Sequence, residues 1–126
     1  MTTSIGNVAV AVTSLERSVP FYTQVIGLSV LATIETDDVK EIIVGADELG
    51  SQLMLAKHKR DAPPVRPSGI WKVFINTNDL QGILDRAQKA GAEVVDGPMF
   101  LERFNLQLAF VRDPDGYLIE LGQPGT

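Results

Sequence analysis

The chain of 126 residues has no cysteine and a single histidine. Without cysteine it can form no disulfide, no thiolate metal site and no cysteine nucleophile. The lone His58 also excludes, within one chain, a metal site made of two histidines and one carboxylate. The residue types most often used to hold a metal or to start covalent chemistry are therefore scarce.

Long apolar runs and positive charge are scarce as well. No stretch approaches the roughly 20 apolar residues of a membrane span, and the first four residues lack the charged and apolar segments of a signal peptide. The chain has 11 basic and 16 acidic residues, a net charge of −5, whereas contacts with nucleic-acid phosphates need a basic surface. We expect a cytoplasmic protein with no membrane or nucleic-acid partner.

The first half of the chain alternates in polarity and then becomes helical. Residues 5–12 place valines on one face and small or polar residues, including Asn7, on the other, as in a half-buried strand. Thr13 opens a capping-box pattern, Pro20 should distort the helix that follows, and Gly27 should end it. Three further strands are predicted at residues 28–35, 39–44 and 52–56.

Residues 57–69 interrupt this pattern with three prolines, one glycine and several basic side chains. We interpret this stretch as the linker between two modules. The run from Lys57 to Arg60 is expected to be a solvated loop. Its functional alternative is a lid that steers anions toward a cavity.

The second half of the chain repeats the first. Residues 70–77 alternate, Asn78 opens a second cap pattern, and Gly91 should end the helix that follows. The two predicted caps lie 65 positions apart, and the same offset superposes Val8 on Val73. We predict a β-α-β-β-β unit used twice, with the later strands near residues 92–95, 100–111 and 117–121.

The last hairpin, residues 104–121, turns at an Asp-Pro-Asp-Gly sequence at residues 113–116. Proline pre-sets one φ, the aspartates bond nearby amides, and glycine accepts a positive φ. With a two-residue tip, Ala109 faces Glu120 and Gln107 lies on the same sheet face as Glu120. A carboxylate is thereby placed in the middle of a strand.

Two segments resemble a known family. Leu15-Glu16-Arg17-Ser18, followed by Phe21-Tyr22 and Gly27-Leu28, resembles the first unit of the vicinal oxygen chelate superfamily, which includes glyoxalase I, bleomycin-resistance proteins and extradiol dioxygenases. Residues 113–121 resemble its last strand. The resemblance implies an α+β fold in which two tandem βαβββ modules form a curved, cup-like mixed sheet with helices outside. It also implies a homodimer.

On this basis residues 1–126 form a single domain of the vicinal oxygen chelate type. Module 1 covers residues 4–56, the basic proline-rich linker covers residues 57–69, and module 2 covers residues 70–122. Neither half could bury enough apolar area by itself, so the two are expected to share a core or to pair across subunits.

In metal-dependent members of that family, four strand positions supply the metal ligands. The matching positions here are Asn7, Lys72, Glu120 and Met54, with Gln52 as the alternative to Met54 on the same face. Carboxylates and imidazoles suit a divalent first-row metal, an amide is a weak substitute, and an ammonium is no donor. Lys72 would repel the metal by about 4 kcal/mol at about 4 Å and an effective dielectric of about 20. We predict no catalytic metal and no cofactor.

Lys72 and Glu120 then remain as opposite charges on one face. The simpler interpretation is a buried ion pair that satisfies itself; the functional one is a small-molecule pocket with a few polar groups amid apolar walls. Trp71 is expected to point away from this pocket and into the core. The predicted ligand-binding residues are Asn7, Gln52, Met54, Lys72, Phe74, Asn76, Phe100, Asn105, Gln107 and Glu120.

Two function classes follow. In the first, the protein binds a small polar-aromatic molecule without transforming it, as metal-free members resembling bleomycin-resistance proteins do. In the second, it is a metal-free acid–base enzyme of the isomerase, epimerase or lyase type, in which Glu120 abstracts a proton and Lys72 steadies the enolate. Glyoxalase I activity is not expected, because it needs the missing ligands.

Overall fold

The same order of elements occurs twice along the chain. The computed structural model describes residues 5–47, 50–60 and 64–125, and it contains two compact units, Met1–Val65 and Arg66–Thr126. Within the described residues each unit holds a four-stranded mixed sheet whose first two strands in the chain are separated by a helix. The predicted α+β class and the βαβββ modules are confirmed.

The first unit places its first and last strands side by side. Its sheet order is β1-β4-β3-β2, with β1 parallel to β4 and the other neighbours antiparallel. The elements are β1 (Asn7–Ala11), α1 (Leu15–Pro20), a π-helical turn (Phe21–Ile26), β2 (Ser29–Glu35), β3 (Val39–Gly45) and β4 (Gln52–His58).

The distortion predicted at Pro20 is confirmed. The α-helix ends at Pro20 and continues as the π-helical turn, because proline lacks the N–H that the next α-helical bond would need. Gly27 ends this turn with a φ of 102°, and its amide donates to the carbonyl of Tyr22 at 3.2 Å. The glycine is needed there since a side chain would strain a left-handed backbone.

The second unit repeats this topology. Its sheet order is β5-β8-β7-β6, with β5 parallel to β8. Two short 3₁₀ turns, Pro67–Gly69 and Glu102–Phe104, precede β5 and follow β6. The main elements are β5 (Val73–Asn76), α2 (Leu80–Lys89), β6 (Val94–Leu101), β7 (Leu106–Arg112) and β8 (Leu118–Pro124).

The predicted N-caps are wrong by one residue in both units. The helices begin after Ser14 and Asp79 rather than after Thr13 and Asn78. The 65-residue spacing is unchanged, because both caps move by the same amount. The hydroxyl of Ser14 donates to the carboxylate of Glu16 at 3.2 Å, which replaces the predicted capping box.

Helix α2 packs on one face of the second sheet and so decides which face is left for a site. Gln123, on β8, accepts a hydrogen bond from the amide of Leu80 at 2.7 Å. The helix therefore lies on the sheet face to which Gln123 points. Every second side chain of β8, counted from Gln123, and its partner on β7 point to the same face. The fully buried strand residues of that face are Ala109, Val111, Ile119 and Leu121.

The predicted register of the last hairpin is wrong by one residue. Phe110, not Ala109, lies opposite Glu120. The cause is the carboxylate of Asp113, which accepts hydrogen bonds at 2.9 Å from the amides of Asp115 and Tyr117 and so organises a five-residue connection between the strands. As a result Glu120 lies on the face away from α2. Burial raises the pKa of Tyr117, and the nearby carboxylates of Asp113 and Asp115 raise it further.

Part of the predicted linker is strand. β4 continues to His58, which pairs with Val39, so Lys57 and His58 belong to the sheet. Lys59 forms an ion pair with Glu35 at 2.7 Å, and Arg60 pairs with Asp38 at 3.0 Å. Lys59 and Arg60 follow the end of β4 and are exposed, as expected for a solvated loop, whereas Lys57 and His58 lie in the strand.

A few predicted boundaries fall on residues that the structure does not describe. These are residue 4 at the start of module 1, residues 48 and 49 in a predicted turn, residues 61–63 of the linker and residue 126. Among the helices of the described ranges, none is long and apolar enough to cross a membrane.

We predict that Gln123→Ala lowers the free energy of unfolding by about 1 kcal/mol, because the first amide of α2 loses its acceptor. Gln107→Ala is the matched control, since Gln107 is exposed and lies directly opposite Gln123 in the sheet. Urea unfolding measures both. Equal losses in the two variants would contradict the capping role.

Candidate functional site

The equivalent strand pairs of the two units define equivalent positions. In the first unit Ala9 lies opposite Met54, and in the second Phe74 lies opposite Glu120. Ala9 and Phe74 are related by the 65-residue offset of the repeat. Met54, rather than Gln52, is therefore the counterpart of Glu120.

The second unit brings Lys72 and Glu120 together. Glu120 lies on β8, on the sheet face opposite α2, and is 5% exposed. Lys72 immediately precedes β5, the parallel neighbour of β8, and its side chain is 25% exposed. The ammonium of Lys72 contacts Oε1 of Glu120 in an ion pair. The predicted pairing of these two charges is present in the structure.

The carboxylate of Glu120 is buried at the point of contact. Oε1, the atom that the ammonium of Lys72 touches, is itself buried. The neighbouring ammonium compensates its charge, so the carboxylate is not an isolated buried anion.

Trp71 does not enter the core, and that prediction is wrong. Trp71 is 78% exposed, and Nζ of Lys72 lies 4.1 Å from the centre of its ring. Strand β5 begins only at Val73. The alternation of side chains between the two faces of a strand therefore does not determine the orientation of Trp71. The attraction between a cation and the face of an indole keeps Lys72 and Trp71 together.

Phe74 lies beside the ion pair. It is directly opposite Glu120 in the parallel pair of β5 and β8, and it is 43% exposed. Its ring covers Gly122, where even a methyl group would collide with it. We call the exposed surface formed by Trp71, Lys72 and Phe74 above Glu120 the Lys72 surface.

The other predicted residues of the second unit are divided between locations. Asn76 is exposed on the same face as Phe74 and lies opposite Gly122. Phe100 and Gln107 pair with each other on the opposite face, since Gln107 also pairs with Gln123. Their separation from Glu120 follows from the one-residue error in register.

Asn105 serves a turn instead. It adopts a left-handed φ of 48° after β6, and its carbonyl accepts a hydrogen bond from the amide of Gly125 at 2.8 Å. Its side chain lies against Gly125. The structure places Asn105 away from the Lys72 surface, at the far end of β7.

Three predicted residues belong to the first unit. Asn7 lies opposite Gln52, and Met54 points to the same sheet face as these two, because it is two residues beyond Gln52. Asn7 is exposed, whereas Gln52 and Met54 are half-buried. Within either unit the described residues contain no cluster of three histidine or acidic side chains.

The four equivalent side chains do not fit a divalent metal. Asn7 and Met54 offer an amide and a thioether, both poor ligands for such an ion. In the second unit the ammonium of Lys72 already occupies the carboxylate of Glu120. A metal at Glu120 would have to displace this ammonium and then remain beside a positive charge.

The repeated βαβββ module defines the class of the protein, a vicinal oxygen chelate fold, as the resemblance predicted. The family model for the Glyoxalase/Bleomycin resistance protein/Dioxygenase superfamily matches residues 4–121. The chain belongs to that superfamily.

Three relatives illustrate the range of the family. A probable lactoylglutathione lyase of Vibrio cholerae is 31% identical over 113 residues, covering 86% of this chain and 82% of the relative. The glyoxalase I of Leishmania major superposes with a TM-score of 0.78 at 25% identity, covering 95% and 86%. TnmS3, an antibiotic binding protein from Streptomyces sp. CB03234, superposes with a TM-score of 0.76 at 25% identity, covering 98% of both chains.

We predict that Lys72→Met lowers the free energy of unfolding by about 2 kcal/mol. The value is below the usual loss for a broken buried pair, because the lysine is partly exposed. Glu120→Gln should cost less, since a solvent-accessible ammonium can be hydrated whereas the buried carboxylate cannot. Urea unfolding of the single and double variants measures the coupling.

Lys59→Met is the matched control for this series, because its pair with Glu35 is exposed on both sides. Little change in stability is expected from it. A loss as large as that of Lys72→Met would show that burial of Glu120 is not what makes Lys72 important.

Proposed function

We propose that this protein binds a small molecule at the Lys72 surface and holds no catalytic metal. The observation that carries the proposal is the ion pair between Lys72 and the buried Glu120. It supplies polar groups at the base of a surface that Trp71 and Phe74 make apolar, and a few polar groups among aromatic side chains are typical of a small-molecule site.

The relatives support both of the functions that the family makes possible. One is named a probable lactoylglutathione lyase and another an antibiotic binding protein. The donor chemistry of Asn7, Met54, Lys72 and Glu120 favours binding. The ion pair uses the only carboxylate among the four equivalent positions.

We predict that protein purified without chelators contains less than about 0.1 equivalent of zinc, nickel, iron or manganese by elemental analysis. The physical reason is the ammonium of Lys72, which repels a cation at Glu120. Stoichiometric metal would contradict the proposal. Lys72→His is the matched control: it replaces the ammonium by a metal ligand and should increase the zinc affinity.

We predict that a thermal-shift screen against metabolites and antibiotics yields ligands that mass spectrometry recovers unchanged. At a concentration of about 100 times its Kd, a ligand stabilises the native state by about 2.7 kcal/mol, which raises Tm by several degrees. Trp71→Ala should reduce these shifts, whereas Phe104→Ala, which removes an exposed aromatic ring elsewhere, should not. If no compound of the screen binds, the proposal is contradicted.

A second candidate function is metal-free acid–base catalysis of the isomerase, epimerase or lyase type. It is favoured by the carboxylate of Glu120, which can take a proton, and by the adjacent ammonium of Lys72, which can stabilise an enolate. Conversion of a screened ligand that is lost in Glu120→Gln would establish this function. Recovery of every ligand unchanged would exclude it for those ligands.

The homodimer and the cytoplasmic location stay predictions from the resemblance and the composition. Light scattering on the purified full chain tests the homodimer, and fractionation of the source cells tests the location.

A further inference from the structure

We propose that the Lys72 surface selects uncharged, planar aromatic ligands that carry a hydrogen-bond acceptor. The inference rests on the proposed function, and it names the chemical class of the ligand. It follows from two features of the second unit, the exposed aromatic rings and the neutral ion pair between them.

The first feature is the pair of rings that flank Lys72. Trp71 is 78% exposed and Phe74 is 43% exposed, an unusual degree of exposure for side chains of this size. Lys72 covers part of the Trp71 ring at 4.1 Å, and the tip of the Phe74 ring lies over Gly122 on β8. Planar ligands can stack on such rings with little loss of side-chain entropy, because the rings are already held in place.

The second feature is the charge balance. The ammonium of Lys72 and the carboxylate of Glu120 are in contact, so their fields largely cancel for a group that approaches both. An anion that approaches Lys72 also approaches Glu120, and a cation that approaches Glu120 also approaches Lys72. A charged head group would lose its hydration here without gaining a full counter-charge.

A neutral hydrogen-bond acceptor fits the pair better. Oε1 of Glu120 is buried in contact with the ammonium of Lys72, so a ligand meets the ammonium and not the carboxylate oxygen. The ammonium has three N–H groups, and its partial exposure lets it donate to a ligand carbonyl. The carbonyl of a primary carboxamide on an aromatic ring is such an acceptor, and it carries no charge.

The test uses three probes with the same ring and different charge: benzamide, benzoate and benzamidine. Each is titrated into ¹⁵N-labelled full-length protein at pH 7, and the indole N–H signal of Trp71 is followed by NMR, since Trp71 is the single tryptophan. We expect benzamide to bind at least about fivefold more tightly than either charged probe. Matched naphthalene derivatives extend the series to a larger ring.

Variants that unbalance the pair should reverse the preference. Glu120→Gln leaves the positive charge of Lys72, so benzoate should become the tightest of the three probes. Lys72→Met leaves the negative charge of Glu120, so benzamidine should become the tightest. Trp71→Ala, in which binding is followed through the backbone amide signals of β5, should weaken all three probes about tenfold. Phe104→Ala, whose ring lies 5.3 Å from the guanidinium of Arg103, is the matched control and should change none of them.

The failures of the two proposals are distinguishable. If a charged probe binds the wild-type protein as tightly as benzamide, or if the ligands from the thermal-shift screen are charged or non-aromatic, the selectivity is wrong while small-molecule binding stands. If neither the probes nor the screen yields a ligand, the proposed function itself is wrong. A preference that Glu120→Gln and Lys72→Met leave unchanged would also overturn the role of the ion pair.

Discussion

Burial of Glu120 is the constraint on which the second unit depends. A carboxylate that is 5% exposed in an inner strand of a sheet is unstable without a compensating charge. Lys72 supplies that charge from the residue before β5. The ion pair thereby joins the start of β5 to β8, and the same ammonium holds the ring of Trp71 at 4.1 Å. The ammonium that compensates the charge of Glu120 therefore also positions Trp71, an aromatic side chain that is not packed in the core.

Much of the fold could be predicted because the repeat is visible in the sequence. The 65-residue offset and the helix-ending glycines gave the element order of both units. The register of the last hairpin could not be obtained in this way. Its turn residues were identified correctly, but the hydrogen bonds from the amides of Asp115 and Tyr117 to Asp113 organise a longer connection, and the strand pairing shifts by one residue. A shift of one residue moves every side chain of a strand to the other face, which explains the misplaced Gln107.

The candidate site was predictable only where position in the strand pair decides it. Phe74, Asn76 and Glu120 share a face because the parallel pairing of β5 and β8 places them there. Lys72, which precedes β5, reaches that face through its ion pair with Glu120. Trp71 was missed because it lies before the first residue of β5, where strand alternation no longer applies. The signal that could have identified Trp71 is the neighbouring lysine. When a lysine side chain extends to a buried carboxylate, its aliphatic part and its ammonium can contact the ring of the adjacent residue.

At the equivalent positions, the second unit carries the charged and aromatic side chains, and the first unit carries smaller or uncharged ones. Where the first unit carries Asn7, Ala9, Ala11 and Met54, the second carries Lys72, Phe74, Asn76 and Glu120. Each substitution across the repeat adds charge, aromatic area or hydrogen-bonding capacity to the second unit. The fold alone therefore cannot decide between the activities named for its relatives. Both charges and both exposed rings of the proposed site lie between Trp71 and Glu120, so the proposed site is built from residues of the second unit.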